Sequence, residues 1–491
     1  MAAVGLLVLV VVFALGLFGR LGSGQDLIDN DASAFQKDRV NGARAGINIV
    51  SDIVDTSDPI VNESGGASNE VPKLVAYVST ASGLPPAQVL AALEQNAPKT
   101  TALLQSLPLS DVSKELPGLL NFLATTLKLP PKELGAALQQ NFPGLAQTIA
   151  NLPKVTDGWD NVPGTANFTN FDGKPVKTVP DVRDYFSKDL VPVLETQQGN
   201  FSDLDSKGGI GFIPALLTVL GAIVLIFGLV MMRAASSGSL TAGLAGPAWW
   251  VVAVVGLLVI VLVFGLKLFP RLSGGDDLLS GADPAYSQER VDGSVAGINI
   301  VSNIVDMADP IATDSGTAAP ELPKLVAFVS EKTGLAQPAV LAALTKQAPK
   351  TSKLLAAIPL SDVSKELPGL LKFLATTLKV TPDELNKAVE GSFPALGKTI
   401  AALPKVTSGW DNVPGTEGFT NFAGDPVKTV PDVRDYFAKD AIPNVLTDNV
   451  SNFDDLDSPW PPVNVFPPLL LIIGLIVLVY GIFMALAVRR A

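Results

Sequence analysis

Two equivalent clusters of charged side chains are the first candidates for chemistry in this sequence. Both occur in a segment PVKTVPDVRDYF that is present twice. The residues are Asp181, Arg183 and Asp184 in the first copy and Asp432, Arg434 and Asp435 in the second. Carboxylates beside a guanidinium can bind a polar ligand. Acidic residues also stabilise a helix start, and Asp184 is spaced to pair with Lys188 one turn later. The sequence therefore favours a solvated helix face, with a ligand site as the alternative.

Two tryptophans in the repeated segment GWDNVPGT are further interaction candidates. Trp159 and Trp410 are each followed by turn residues. A tryptophan here can stack on a ligand, lie at a membrane interface or anchor the turn to a core, and the last is the commonest role in a turn. Together with the two charged clusters, they complete the set of predicted interaction residues.

Two stretches resemble known ligand loops without satisfying their requirements. Residues 391–399 contain Gly-Lys-Thr, but five residues separate the glycines where a phosphate-binding loop needs four. Asp203 and Asp205 alternate as in a calcium loop, yet Lys207 stands where a third oxygen ligand is needed. The sequence therefore predicts no cofactor-binding residue and no metal ligand.

Composition excludes several classes of activity. The 491 residues include no cysteine and no histidine, which removes thiolate nucleophiles, imidazole bases and ordinary zinc or haem sites. The 47 acidic and 35 basic residues give a net charge of −12, which argues against binding nucleic acid. We predict no enzymatic activity and no catalytic residue; a hydrolase using Ser, Lys and carboxylates is the least favoured class.

Apolar segments place the chain in a bilayer. Each is 18 to 23 residues long and nearly free of charge, which is enough to cross a membrane. The predicted spans are residues 2–19, 210–232, 248–269 and 467–488. A cleaved signal peptide is the alternative for the first segment. We expect this segment to be retained, because its counterpart in the second half must cross.

The sequence repeats itself with an offset of 251 residues. GINIVS at 46–51 returns at 297–302, and PLSDVSKELPGLL is identical at 108–120 and 359–371. A helical segment also recurs within each half at an offset of 45 residues. Its four copies are residues 73–108, 118–153, 324–359 and 369–404. These matches indicate a tandem duplication.

Proline and apolar spacing predict the helices of each copy. The Leu-Pro-Pro at residues 84–86 ends one helix and starts the next, and Pro98 starts a third. Residues 381–384 form a capping box, and Pro59 is expected to end the helix that contains residues 46–54. The predicted fold class is an all-α membrane protein with four transmembrane helices, arranged as two tandem copies.

Orientation follows from the positive charges beside the spans. Arg233, Arg489 and Arg490 follow the second and fourth spans, so the positive-inside rule places both termini in the cytoplasm. Two extracytoplasmic helical domains and a cytoplasmic linker result. Their predicted bounds are 20–209 and 270–466 for the domains and 233–247 for the linker.

No motif identifies a family, so function rests on this plan. We expect a non-enzymatic protein of the bacterial cell envelope, embedded in the lipid bilayer, whose outer domains bind a protein partner or an apolar, lipid-like ligand. An extracytoplasmic sensor, or an accessory subunit of a transport or signalling complex, is the alternative. The oligomeric state is left open.

Overall fold

The computed structural model describes residues 2–205, 209–236, 242–457 and 462–490, and its regular structure is helical. Within these ranges the only strand-like pairings are two isolated β-bridges, which join Thr169 to Pro175 and Thr420 to Pro426. The predicted all-α class is confirmed.

Twelve α-helices lie on each side of the gap at residues 237–241 among the described residues. The first twelve are α1 (Ala2–Ala14), α2 (Leu17–Asp31), α3 (Lys37–Val61), α4 (Ala67–Ser82), α5 (Pro86–Asn96), α6 (Pro98–Ser106), α7 (Leu109–Leu127), α8 (Pro131–Asn141), α9 (Pro143–Gly158), α10 (Val179–Asp184), α11 (Val191–Leu204) and α12 (Ile213–Ser236). The others are α13 (Ala242–Gly265), α14 (Leu268–Tyr286), α15 (Gln288–Ala312), α16 (Ala318–Thr333), α17 (Gln337–Gln347), α18 (Pro349–Ala357), α19 (Leu360–Leu378), α20 (Pro382–Ser392), α21 (Pro394–Gly409), α22 (Val430–Asp435), α23 (Val450–Leu456) and α24 (Phe466–Arg490). Wider π-helical turns, Tyr185–Leu190 and Tyr436–Leu446, follow α10 and α22.

Two helices have the length and apolar composition of a membrane span: α12, over Ile213–Ala234, and α24, over Phe466–Ala487. The pairs α1–α2 and α13–α14 pass the same test only when each is counted as one broken span. They bend by 54° and 51°, so the described residues provide two to four candidate spans. The membrane class is consistent with this result.

The predicted spans 2–19 and 248–269 are therefore not straight single helices. Gly16 and Lys267 adopt left-handed backbone conformations, with φ of 59° and 50°. A left-handed residue cannot continue a right-handed helix, so α1 ends at Ala14 and α13 at Gly265. Parts of the predicted linker 233–247 belong instead to α12 and α13, and residues 237–241 lie outside the described ranges.

The chain forms two compact units, and each unit draws on both halves of the sequence. The span unit contains residues 1–40, 192–291 and 441–491. The repeat unit contains residues 41–191 and 292–440. The domain bounds given by the sequence stay a prediction, but each compact unit contains residues of both halves.

Small residues bring the apolar helices of the span unit into backbone contact. A Cβ on Gly5 would lie 2.3 Å from the backbone nitrogen of Leu225, and a Cβ on Gly256 would lie 2.3 Å from that of Leu478. Real Cβ contacts are not this short, so α1–α12 and α13–α24 require glycine at these positions. Such close approach is typical of helix pairs in membranes.

Buried arginines connect the two halves inside the span unit. Arg20 donates to the carbonyl oxygen of Leu456, the last residue of α23, at 3.1 Å. Arg271 donates from two guanidinium nitrogens to the carbonyl of Leu204, the last residue of α11, at 3.0 and 3.1 Å. A cation at a helix C-terminus satisfies carbonyls that have no helical partner. Each half thus supplies the arginine that the other half's helix end binds.

The repeat unit contains four sets of three helices: α4–α6, α7–α9, α16–α18 and α19–α21. The four recurring sequence segments fall on these sets. The strongest pairing joins α6 of the first half to α18 of the second, and α6 also packs on α19 while α18 packs on α7. Sets from different halves therefore interleave.

Prolines and capping residues start and end helices as the sequence predicts, with one exception. Thr381 and Glu384 form the predicted capping box at the start of α20. Pro59 does not end α3, which continues to Val61. Ile60 and Val61 are buried, and their packing holds the final turn in place although Pro59 provides no N–H.

Glycines on α3 and α15 let aromatic side chains from the other half lie against the helix backbone. A Cβ on Gly42 would lie 2.1 Å from the ring of Phe419, and a Cβ on Gly293 would lie 2.2 Å from the ring of Phe168. Both rings are 2 % exposed. This contact between the halves explains why both repeats have glycine at this position.

Candidate functional site

The acidic residues at the start of α10 and α22 are used in helix caps. Asp181 accepts hydrogen bonds from the backbone nitrogens of Lys177 and Thr178, and the Thr178 hydroxyl accepts from the nitrogen of Asp181. The pair Thr429 and Asp432 repeats this arrangement. A reciprocal cap of this kind satisfies donors that the first turn leaves free.

The arginines of the two clusters bind carboxylates of the same chain. Arg183 contacts Asp55 at 2.7 Å and Asp184 at 2.6 Å, and Asp184 also pairs with Lys188 at 2.7 Å as predicted. The Arg183 side chain is 18 % exposed. The second cluster has the same partners at equivalent positions, namely Arg434 with Asp306 and Asp435, and Asp435 with Lys439. Arg183 and Arg434 therefore join α10 and α22 to α3 and α15, and their guanidinium groups are already occupied.

Trp159 and Trp410 lie in the core of the repeat unit. Each is 1 % exposed, and each indole N–H donates to an aspartate, Asp58 at 3.1 Å and Asp309 at 2.9 Å. The buried ring faces offer no surface for stacking on a ligand from solution. This arrangement is that of a tryptophan anchoring a turn to the core, which is one of the three roles that the sequence left open.

The two ligand-loop resemblances lie at helix ends in the structure. Residues 391–399 comprise the end of α20 and the first turns of α21, and Thr399 is buried. Among the described residues no group of three or more carboxylates is placed to hold a metal ion. Asp203 lies in the last turn of α11 and Asp205 follows that helix, while residues 206–208 of that stretch lie outside the described ranges.

Four glutamates that sequence reasoning missed cap helices of the opposite half. Glu366 accepts from the backbone nitrogens of Lys99 and Thr100 at 3.2 and 2.8 Å, at the start of α6. Glu115 makes the equivalent bonds to Lys350 and Thr351 at 3.2 and 2.8 Å, at the start of α18. The threonine hydroxyls add a third bond to each glutamate. A carboxylate at a helix N-terminus is stabilised by both the free N–H groups and the helix dipole.

The other two glutamates repeat the pattern on α9 and α21. Glu321 accepts from the nitrogens of Gly144 and Leu145, and Glu70 accepts from those of Ala395 and Leu396. All four glutamates precede an apolar residue and a proline, and all four capped helices begin with proline. This pairing of Glu-x-Pro with an N-terminal proline is the signal in the sequence that could have revealed the contact.

Lysines beside these caps add a second reciprocal contact. Lys99 binds Asp362 at 2.7 Å, and Lys350 binds Asp111 at 2.8 Å. The hydrogen bond from Lys350 is the main reason why the pKa of Asp111 is lowered from 3.8, and the bond from Lys99 does the same to the pKa of Asp362. The ionised aspartates therefore stabilise the contact between the halves.

We expect acid to weaken this contact. A carboxyl whose pKa is lower in the folded state adds stability above its ordinary pKa, and that stability is lost as the pH falls through the folded value. Thermal unfolding measured from about pH 5 to about pH 2 should show a fall that is smaller in the Asp111→Asn/Asp362→Asn variant. The exposed Asp383→Asn is the control and should leave the slope unchanged. An identical slope in all three proteins would remove these aspartates from the explanation.

An apolar cavity of about 60 Å³ lies within the repeat unit. It is lined by residues at equivalent positions of the two halves, such as Ile60 and Ile311, Leu103 and Leu354, and Leu152 and Leu403. Hydroxyls at its wall, including Thr148 and Thr399, donate to backbone carbonyls. A neighbouring cavity of about 40 Å³ shares Leu103, Thr399 and Leu403. These volumes suit a small apolar group and not an acyl chain.

Exposed leucines stand at the tips of two helix hairpins in the repeat unit. Leu84 lies between α4 and α5 and is 37 % exposed, and Leu335 lies between α16 and α17 and is 44 % exposed. The carbonyl oxygens of both leucines accept a 2.6 Å hydrogen bond, from Ser79 and Ser330 respectively. The preceding glycine is left-handed in each hairpin. The backbone therefore holds both apolar side chains out in a fixed position.

These features define the protein as an all-helical chain with two to four candidate membrane spans and an interleaved repeat unit. No protein-family model, curated protein or solved structure matches it.

Proposed function

We propose that the chain is a non-enzymatic integral membrane protein of the bacterial cell envelope whose repeat unit lies outside the cytoplasm and binds a protein partner. In this proposal the chain crosses the bilayer four times, a tandem duplication produced its two halves, and both termini are cytoplasmic. The apolar helices support the membrane location, and Arg233 beside the second span supports the orientation.

The fixed apolar tips carry the proposal of a protein partner. Leu84 and Leu335 leave more than a third of their surface exposed, and this exposed apolar area adds nothing to folding stability. Their backbones are ordered by side-chain hydrogen bonds before any partner binds. A preordered apolar anchor loses little conformational entropy on binding, which increases the share of its buried area that contributes to affinity.

The polar candidates favour the same conclusion. Arg183, Arg434 and the capping glutamates bind groups of this chain, which leaves them poorly suited to recognise a charged ligand. A lipid-like ligand is the second possibility for an apolar site. Ligand pockets measure roughly 300–1,000 Å³, well above the cavities of about 60 and 40 Å³ in the repeat unit.

The test is purification of the full-length protein from its own membranes in mild detergent, followed by mass spectrometry of bound protein and lipid. The variant Leu84→Glu/Leu335→Glu places charges on both tips. The control Gln88→Glu/Gln337→Glu adds the same charges at exposed positions nearby. We expect the wild type and the control to retain one protein stoichiometrically. The leucine variant should retain at least about tenfold less of that protein.

Two outcomes contradict the proposal: stoichiometric lipid without a protein, or a protein that the leucine variant retains equally well. The identity of the retained protein also decides the alternative role. A transporter component or a kinase would identify the chain as an accessory subunit or a sensor.

A further inference from the structure

Asp31 is a carboxylate buried in the span unit with only neutral hydrogen-bond partners. It is the last residue of α2 and is 1 % exposed. The Tyr286 hydroxyl donates to one carboxyl oxygen at 2.9 Å, and the Asn449 amide donates to the other at 2.7 Å. Tyr286 and Asn449 are themselves buried. Water and cations therefore do not reach this carboxyl in the folded arrangement.

The partners of Asp31 are themselves held by further contacts. Tyr286 stacks on Phe453 with ring centroids 4.3 Å apart and an angle of 9°. Asn449 also donates to the carbonyl of Asn444, and its amide oxygen accepts from Asn30. Every polar atom of the Asn449 side chain is thus engaged.

Charged groups on the surrounding helices give Asp31 no cationic partner. Arg39 and Arg290 donate to the backbone carbonyls of Ser33 and Pro284. Arg233 of α12 lies at the end of that helix remote from α2, and Lys37 is exposed. Arg20 of α2 and Arg271 of α14 donate to the helix-end carbonyls of Leu456 and Leu204. The other charged side chains nearest to Asp31, Tyr286 and Asn449 in sequence are acidic and exposed: Asp29, Asp38, Asp283, Glu289, Asp448, Asp454 and Asp455.

The other half of the same protein shows that the fold does not need this carboxylate. The residues at the equivalent positions are Ala282 for Asp31 and Phe35 for Tyr286. Both are buried, and Phe35 stacks on Phe201 at 4.4 Å as Tyr286 stacks on Phe453. One half therefore places apolar groups at these positions, and the other places an acid and a hydroxyl there.

We propose that Asp31 is a proton-binding site: its carboxyl carries a proton in the folded protein at neutral pH, and release of that proton places an unpaired charge between the two halves. An ionised carboxylate without a cation is strongly unfavourable in an apolar interior, whereas a protonated one is neutral and keeps the hydrogen bond from Asn449. The folded state then holds one proton more than the unfolded state at neutral pH. Stability falls as the pH rises, since linkage favours the state that binds more protons at lower pH.

The first test is infrared spectroscopy of the full-length protein in detergent at neutral pH. The wild type minus Asp31→Asn difference spectrum should contain the C=O stretching band of a protonated carboxyl. Tyr286→Phe removes a donor that favours the ionised form, so its band should persist to higher pH than in the wild type. A wild-type spectrum that shows only the carboxylate bands at this position overturns the proposal.

The second test is thermal unfolding from neutral to alkaline pH. The wild type should lose more stability than Asp31→Asn over this range, because only the wild type has a proton to release there. The variant Asp31→Ala/Tyr286→Phe reproduces the residues of the other half and should fold and follow the shallower profile. Equal slopes for the wild type and both variants contradict the proposal, which does not depend on the protein partner proposed above.

Discussion

Replacing Trp159 with alanine is expected to lower the free energy of unfolding by about 3–5 kcal/mol, the range found when a large aromatic is removed from a core. The ring is 1 % exposed, and its indole N–H donates to Asp58. The substitution opens a cavity and leaves the carboxylate without that donor. Thermal and denaturant unfolding followed by circular dichroism in detergent measures the loss.

The equivalent residue supplies an internal control. Trp410→Ala should cost a similar amount, because Trp410 has the same burial and the same type of partner, Asp309. Trp159→Phe keeps most of the packing and should lose about 1–2 kcal/mol through the missing hydrogen bond. A stable Trp159→Ala protein with reduced ligand or partner binding would return Trp159 to the list of binding residues.

Loss of two capping glutamates should be comparably severe. Glu115→Ala/Glu366→Ala removes three hydrogen bonds at each of the helices α18 and α6. Each single substitution should cost about 2 kcal/mol, the combined scale of a lost cap and of hydrogen bonds to a charged group. The two single variants should be equal within about 0.5 kcal/mol, since the geometry of the two sites is nearly identical.

Matched variants separate capping from a general loss of charge. Glu331→Ala removes an exposed carboxylate on α16 and should change stability by less than about 0.5 kcal/mol. Glu366→Gln keeps an acceptor oxygen and should lose about 0.5–1 kcal/mol, the part that depends on the helix dipole. If Glu115→Ala and Glu366→Ala behave like Glu331→Ala, these bonds do not contribute to holding the halves together.

The sequence was informative wherever a residue acts on its own neighbours. Proline at the first position started helices, the Thr381 capping box formed as expected, and Asp184 paired with Lys188 one turn away. These effects operate over a few residues, so spacing alone reveals them. Pro59 was the exception, because burial of the last turn outweighed the local preference.

The candidate site residues show which contacts local spacing cannot reveal. The sequence located Arg183 and Trp159 as unusual positions, but their partners Asp55 and Asp58 lie more than a hundred residues away. No local pattern connects such residues, since they meet only after the chain has folded. Glu366 was missed for the same reason, because on its own helix it reads as an ordinary polar residue.

By itself the sequence determined the helical class, the apolar segments suited to a bilayer and the 251-residue repeat, because composition and period are properties of the chain alone. Only the tertiary structure decided that the halves interleave, that Glu115 and Glu366 cap helices of the opposite half, and that Asp31 is closed off from water. Burial and long-range pairing depend on which surfaces meet. Two halves with nearly the same pattern are equally compatible with separate or interleaved packing until their side chains are brought together.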